Sequence, residues 1–211
     1  METTYTLDEA INALKALKKP KFDATVEIHA RLGIDPKKSD QQVRTAVVLP
    51  HGTGKTLRIA VFTEAAKQAE ATSLGAEIVG GEELIKNIIA TGKLDADVAV
   101  ATPDMMKHLA SAAKTLGPKG LMPTPKNGTV TTDLQKTLSE IKKGKVTLKT
   151  DDTGNIHGII GKMSWDAQKL KENLTALLDA VKKAKPSSSK GTYLKSITLC
   201  SSMSKGIKIA Y

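Results

Sequence analysis

From Phe22 to Leu32, apolar and polar residues alternate without a fault. Phe22, Ala24, Val26, Ile28, Ala30 and Leu32 share one parity, and Asp23, Thr25, Glu27, His29 and Arg31 share the other. A period of two predicts a half-buried strand, with one face in a core and a ladder of hydroxyl, carboxylate, imidazole and guanidinium groups on the other. Antiparallel sheets routinely leave such a face wet, so alternation alone assigns it no partner. Upstream, Thr6 and Glu9 have the spacing of a capping box, and Ala10, Ile11, Ala13, Leu14 and Leu17 recur at helical intervals as far as Lys18-Lys19-Pro20. Downstream, turn residues lead to a second, more buried strand from Val43 to Leu49, broken by Pro50-His51-Gly52.

After Gly52 the pattern changes to short apolar strands alternating with helices. Strands are expected at Leu57–Phe62, Ala76–Val79 and Val98–Ala101. Between and after them come a helix capped by Thr63 and stopped at Gly75, a helix from Glu82 to Thr91 ended by Gly92, and one opened by Thr102-Pro103-Asp104. This alternation implies right-handed crossovers and a small parallel sheet covered on both faces. The stretch from Leu116 to Val130 holds three prolines and three glycines. It is too long for a simple connection, so its backbone must be held by other parts of the protein. A helix starting at Thr132 or Asp133 and running through Ile141 closes the segment at Lys142-Lys143-Gly144.

Val146, Leu148 and Thr150 then restart a strand, residues 151–155 read as a hairpin turn, and Ile156 to Ile160 returns. Ser164 is expected to cap a long helix from Trp165 to Lys183, with Leu170, Leu174, Leu177, Leu178 and Val181 on one side and Trp165 packed at its start. Tyr193 to Cys200 and Ile207 to Ala210 read as the last two strands. The outer segments, 1–52 and 145–211, then form one α+β domain, interrupted by an inserted α/β domain over 53–144. Glycines at both crossings, Gly52 and Gly144, suggest a hinge.

Charge adds a direction to this plan. The net charge of +10 favours a polyanionic partner. From Lys145 to Tyr211 there are 12 Lys/Arg against 5 Asp/Glu, so the C-terminal third carries +7 of the +10. If that third packs with the N-terminal segment, the two form the expected electrostatic footprint on a polyanion. Aromatic residues make up only 3% of the chain, which argues against extensive base stacking. Cys200 is the only cysteine, so an intramolecular disulfide and a cysteine-cluster metal site are both excluded. No apolar run is long enough to span a bilayer, and no targeting segment is visible, so a cytoplasmic chain is expected.

Catalytic chemistry finds little support. Gly54-Lys55-Thr56 resembles the end of a phosphate-binding loop, but Leu49 stands where that motif needs its first glycine, and a strand rather than a helix is expected to follow. The first turn after a strand in the inserted segment lacks the glycines of a dinucleotide site. His29, His51, His108 and His157 lie in separate elements without ligand spacing, so no metal is expected. Lys182, Lys183, Lys185 and Lys190 flank a Pro/Ser loop and could meet phosphate or simply be solvated.

The runs FDATVEIHARLGIDPKKSDQQVR, LPHGTGK, GAEIVGGEELI, ATPDMM, LGPKGLMPTPKNGTV, NIHGIIGK and KGTYLKSITLCSSM together cover almost the whole chain. They resemble the ribosomal protein L-one family. The resemblance implies a terminal α+β sandwich domain that makes the principal RNA contact, and an inserted Rossmann-like α/β/α domain joined by a hinge. It implies a non-enzymatic protein of the large subunit's mobile stalk, near the tRNA exit site, with no cofactor. The implied partners are large-subunit rRNA, transiently the exit-site tRNA, and a leader in the protein's own messenger whose translation it represses. Off the ribosome a monomer is implied.

Carried over by position, the family's RNA contacts fall on Lys21, Phe22, Thr25 and Glu27, on Ser196, Ser202 and Met203, and around His157, Gly161 and Lys162. Hydroxyl and carboxylate groups can bond ribose hydroxyls and base edges, while Phe22 and Met203 offer apolar surface. Phe22 has the parity of the buried residues, so an RNA contact requires it to sit at a frayed strand start or bend out. The chain departs from the family at Ser202, Met203, Ser204 and Lys205, where threonine, methionine, glycine and proline are common, and the resemblance implies a start within the family's basic N-terminal helix. Two alternatives stand beside this reading: a phosphate-ligand enzyme built on the inserted domain, and a non-ribosomal RNA regulator of the same fold.

Overall fold

The computed structural model describes residues 4–18, 20–38 and 40–210. The elements run α1 (Leu7–Ala16), β1 (Thr25–Leu32), β2 (Arg44–Val48), β3 (Ile59–Phe62), α2 (Ala65–Ser73), β4 (Ile78–Gly80), α3 (Glu82–Thr91) and β5 (Val98–Ala101). There follow α4 (Met106–Leu109), α5 (Ala113–Leu116), α6 (Leu134–Lys142), β6 (Lys145–Lys149), β7 (Asn155–Lys162), α7 (Ala167–Lys183), β8 (Leu194–Ser201) and β9 (Ile207–Ile209). They form two compact units: Thr56–Lys142, and the residues up to Lys55 together with those from Lys143. Among the described residues no helix is long and apolar enough to cross a membrane.

The unit built from the two ends of the chain has a four-stranded antiparallel sheet in the order β7-β1-β8-β9. Helices α1 and α7 lie on one face only, packing Ile11, Leu14, Leu170, Leu174 and Leu177 against Val26, Ile28, Ala30, Ile160 and Leu199. The capping box is present: the Thr6 N–H donates to Glu9 Oε2 at 2.9 Å and the Glu9 N–H to Thr6 Oγ1 at 3.4 Å. Strand β1 keeps its alternation but starts three residues later than expected. Phe22 therefore lies outside the ladder and is 55% exposed.

Three other expectations for this unit are corrected. The strand expected to be more deeply buried, β2, is exposed at both ends, and its flanking residues Val43 and Leu49 supply the buried anchors. The turn at 151–155 does not close a continuous hairpin: after a single bridge between Thr150 and Ile156, β6 pairs with β2 and β7 with β1. Ser164 does not cap α7, whose N-cap is Asp166. It bonds Asp23 instead, its N–H to Oδ1 at 3.1 Å and its hydroxyl to Oδ2 at 2.9 Å.

One polar side chain breaks the apolar stripe of α7. Asn173 is fully buried. Its amide donates to Ile160 O at 2.8 Å and Gly52 O at 2.9 Å, and its carbonyl accepts the His51 N–H at 3.1 Å. Next to it, His51 Nε2 meets Glu172 Oε2 at 2.6 Å, a bond that helps hold the Glu172 carboxyl below its ordinary range. The Pro50–Gly52 segment is thus fastened to α7 and β7. Leu49 N–H also donates to Gly144 O at 3.2 Å, and a Cβ on Gly144 would fall onto the Gly52 backbone, so the two crossings touch main chain to main chain.

In the Thr56–Lys142 unit, β3 lies between β4 and β5 in a parallel sheet. All four β3 residues are buried. Ala60 and Phe62 pack with Ile85, Ile88, Leu109 and Leu116, whereas Ile59 and Val61 pack with Ala71, Leu134, Leu138 and Ile141. Both faces are therefore covered. Thr63 is not the cap of α2: Glu64 takes that position, while Thr63 is fully buried and donates its N–H to Gly80 O at the end of β4. The helix expected after Thr102-Pro103-Asp104 is split into α4, a 3-10 turn at Ala110–Ala112, and α5. The Pro/Gly-rich stretch is held by β5: the Ala101 N–H donates to Thr129 O and the Thr131 N–H to Ala101 O, both at 3.0 Å.

Candidate nucleic-acid interface

The face of the four-stranded sheet turned away from α1 and α7 is a grid set by register. At one end Thr25 stands opposite Lys162; next, Glu27 lies between Ile159 and Cys200; then His29 between His157 and Thr198; and finally Arg31 between Asn155 and Ser196. Lys208 of β9 extends the His29 row beyond Thr198. The other parity of each strand enters the core, so the backbone pleat alone sorts these groups onto one surface.

Bonding concentrates at the Thr25 end. Lys162 Nζ donates to Thr25 Oγ1 at 2.9 Å, which points an ammonium group across the strand start. The Ser202 N–H donates to Thr25 O at 3.1 Å, and Ser202 Oγ accepts the Thr25 N–H at 3.2 Å. The Ser202–Lys205 loop therefore docks on β1 through the hydroxyl kept at Ser202. Ser204 closes the loop by accepting the Ser201 N–H on its Oγ at 2.8 Å. Among the described residues no non-glycine residue has a positive φ, so the loop turns at Ser204 without glycine. Lys21 is exposed just before the strand, and Met203 is 78% exposed beside Ser202. Lys21, Phe22, Thr25, Glu27, Gly161, Lys162, Ser202 and Met203 thus gather at one end of the sheet. His157 lies further along, and Ser196, six residues from Ser202, stands about 20 Å away at the extended rise of a strand.

Gly161 has a packing reason of its own. A bulge in β7 sets Glu27 opposite Ile159 and Val26 opposite Gly161, whose φ is +154°. A Cβ there would come within 2.6 Å of Trp165 Cε3 and 2.9 Å of Leu170 Cδ2. At Gly54, φ +72°, a Cβ would run into the same indole, 2.9 Å from Cζ2. The glycine that suggested a phosphate loop therefore makes room for Trp165, and no helix follows Thr56. Gly161→Ala is expected to lower unfolding stability by about 2–4 kcal/mol through strain and overpacking. A urea titration followed by Trp165 fluorescence checks this, and an unchanged midpoint would refute it.

Two histidines expected to stand apart meet on this face. His29 Nδ1 and His157 Nδ1 are 2.7 Å apart, His29 Nε2 is 3.1 Å from Cys200 Sγ, and His157 Nε2 is 3.4 Å from Asp151 Oδ2. Linear spacing hides them, since β1, β7 and β8 come together only through register. Burial, followed by the neighbouring His157, holds the His29 imidazole below its ordinary pKa. Burial and the Glu27 carboxylate push the Cys200 thiol up.

Asp151 orders the turn before β7. Burial opposes its charge, but the Asn155 N–H, the Thr153 hydroxyl and N–H, and the Asn155 amide all donate to it and hold its carboxyl well below the usual range. A depressed carboxyl favours the fold above its unfolded pKa and loses that contribution as pH falls. The stability advantage of the native chain over Asp151→Ala should thus be full above about pH 5 and shrink towards about pH 2. Urea midpoints measured across that window would show the convergence, and parallel curves would exclude the role.

The sheet face is open, rich in hydroxyls and basic groups, flanked by exposed apolar side chains and backed by helices, on a protein of mixed α/β build. The family model described as the Ribosomal protein L1p/L10e family matches residues 14–205. The chain belongs to that family, and is therefore a ribosomal protein of the large subunit that binds ribosomal RNA. The family is one of structural ribosomal proteins rather than enzymes.

Proposed function

We propose that the Thr25 end of the open sheet face is the main contact with a folded site in large-subunit rRNA. Lys21, Phe22, Thr25, Glu27, Gly161, Lys162, Ser202 and Met203 form its centre, and His157 and Ser196 extend it along the strands. The observation that carries this reading is the exposure of Phe22 and Met203 on either side of a hydrogen-bonded Thr25–Lys162–Ser202 cluster. Hydroxyl and carboxylate groups read ribose hydroxyls and base edges, the lysines meet phosphate, and the two apolar side chains cover unstacked base or sugar surface.

In the same reading the Thr56–Lys142 unit is the family's inserted Rossmann-like domain, hinged at the Gly52 and Gly144 crossings. The protein is then the protein part of the mobile stalk, contacts departing tRNA near the exit site, and represses its own messenger through a leader that mimics the ribosomal site. It is a monomer off the ribosome. Intact chain titrated against large-subunit rRNA and a length-matched duplex over a salt series tests the centre of the proposal. Preference for the rRNA at every salt concentration supports it. Equal binding to both, with a steep salt slope, means that charge alone drives association.

A further inference from the structure

We infer that Glu27, His29 and Cys200 form a binding site for a borderline-soft divalent transition ion, with Zn²⁺ the first candidate. Glu27 and Cys200 are directly opposed across β1 and β8, and His29 is two residues along β1 on the same face. Their ligand atoms all lie within 4.8 Å of one another, and none of the three residues is fully exposed. Thiolate, imidazole and carboxylate in one cluster select Zn²⁺ or its chemical neighbours over Mg²⁺ or Ca²⁺, which demand oxygen.

The distances suit such an ion. His29 Nε2 is 3.1 Å from Cys200 Sγ and 3.9 Å from Glu27 Oε2. Tetrahedral zinc, with Zn–S near 2.3 Å and Zn–N or Zn–O near 2.1 Å, needs separations of about 3.6 and about 3.4 Å, so these two pairs adjust by about half an ångström each. The Glu27–Cys200 pair, within 4.8 Å, closes by the remaining side-chain movement. Both flanking strands are paired, which limits the ordering needed to these side-chain shifts.

A second observation points the same way. The contacts from Asp151 through His157 to His29 are satisfied by one set of tautomers. His157 Nε2–H donates to Asp151, and His29 Nδ1–H donates to His157 Nδ1, leaving the His29 Nε2 lone pair aimed at Cys200. Histidine ligands are typically oriented in this way, through a hydrogen bond on the ring nitrogen that does not face the metal. On binding, the Cys200 S–H bond breaks and its proton leaves to solvent. The sulfur lone pair and those of His29 Nε2 and Glu27 enter the ion's coordination shell, and nothing is oxidised or reduced. Three protein ligands leave a fourth position for water. Glu27 also belongs to the proposed RNA surface, but the metal site does not depend on that reading.

Metal-free, tag-free intact chain titrated with Co²⁺ tests the site. One equivalent should produce a sulfur-to-cobalt charge-transfer band in the near ultraviolet and the intense visible bands of tetrahedral cobalt, and Zn²⁺ should bleach both. Cys200→Ser should abolish the near-ultraviolet band. His157→Gln, which keeps every ligand, should retain it while weakening affinity by about 10–100-fold. Circular dichroism of both variants verifies their folding. No sulfur band with the native chain, or a band that persists in folded Cys200→Ser, would overturn the assignment.

Discussion

Asn173→Leu should lower the unfolding free energy of the chain by about 3–5 kcal/mol, since each buried polar group left without its partner costs about 1–3 kcal/mol. Leucine has the same branched heavy-atom skeleton, leaves no cavity and suits the apolar stripe of α7, so neither a cavity nor lost helix propensity accounts for the loss. What disappears are the bonds to Ile160 O, Gly52 O and the His51 N–H, three backbone groups from two different parts of the chain. Unfolding in urea, followed both by Trp165 fluorescence and by far-ultraviolet circular dichroism, measures the effect. A loss below about 1 kcal/mol would mean that water or a rearranged backbone replaces the amide. His51→Ala gives a useful contrast. It removes the exposed contact with Glu172 but keeps the backbone N–H that Asn173 accepts, so it should cost at most about 1 kcal/mol.

The other large effect concerns binding. Phe22→Ala and Met203→Ala should each weaken binding to large-subunit rRNA by about 1–3 kcal/mol, a factor of roughly 5 to 150, while leaving binding to a plain duplex unchanged. Neither side chain is charged or supports the core, being 55% and 78% exposed, so stability and the salt slope should both stay as they are. Lys162→Ala should do the opposite, lowering affinity for both RNAs and reducing the salt slope by about one phosphate contact. Filter binding at several salt concentrations separates the two behaviours. If Phe22→Ala and Met203→Ala bind like the native chain, the interface lies elsewhere on the protein.

Much of the architecture was legible because its signals are local. The alternation in β1, the Thr6–Glu9 box, the bounds of α3 and the αL glycine at Gly92 are all written within a few residues of where they act. The same alternation marked Thr25 and Glu27 as members of the open face. It misplaced Phe22, because parity continues past the point where hydrogen bonding stops. Register was the other blind spot. Nothing in the linear spacing brings His29, His157 and Cys200 together, since residues more than a hundred positions apart meet only once β7, β1 and β8 have aligned. Reading Tyr193–Cys200 by parity would have placed Ser196, Thr198 and Cys200 on one face, but only pairing shows what they oppose. Gly54 and Asn173 were obscure for a related reason. The demand on each comes from a distant partner, an indole in one case and the Gly52 and Ile160 carbonyls in the other.

The backbone contact between Gly52 and Gly144 has a consequence for how the chain can be cut and rejoined. Because the ninety-odd residues between them leave and re-enter at one point, their excision leaves two ends already within reach of a very short splice. For the unit that remains, a long flexible detour becomes a tight turn, and the entropy of closing that detour vanishes from its folding. A spliced chain lacking 53–143 should therefore fold faster than the parent, with β2 and β6 joined as an ordinary hairpin.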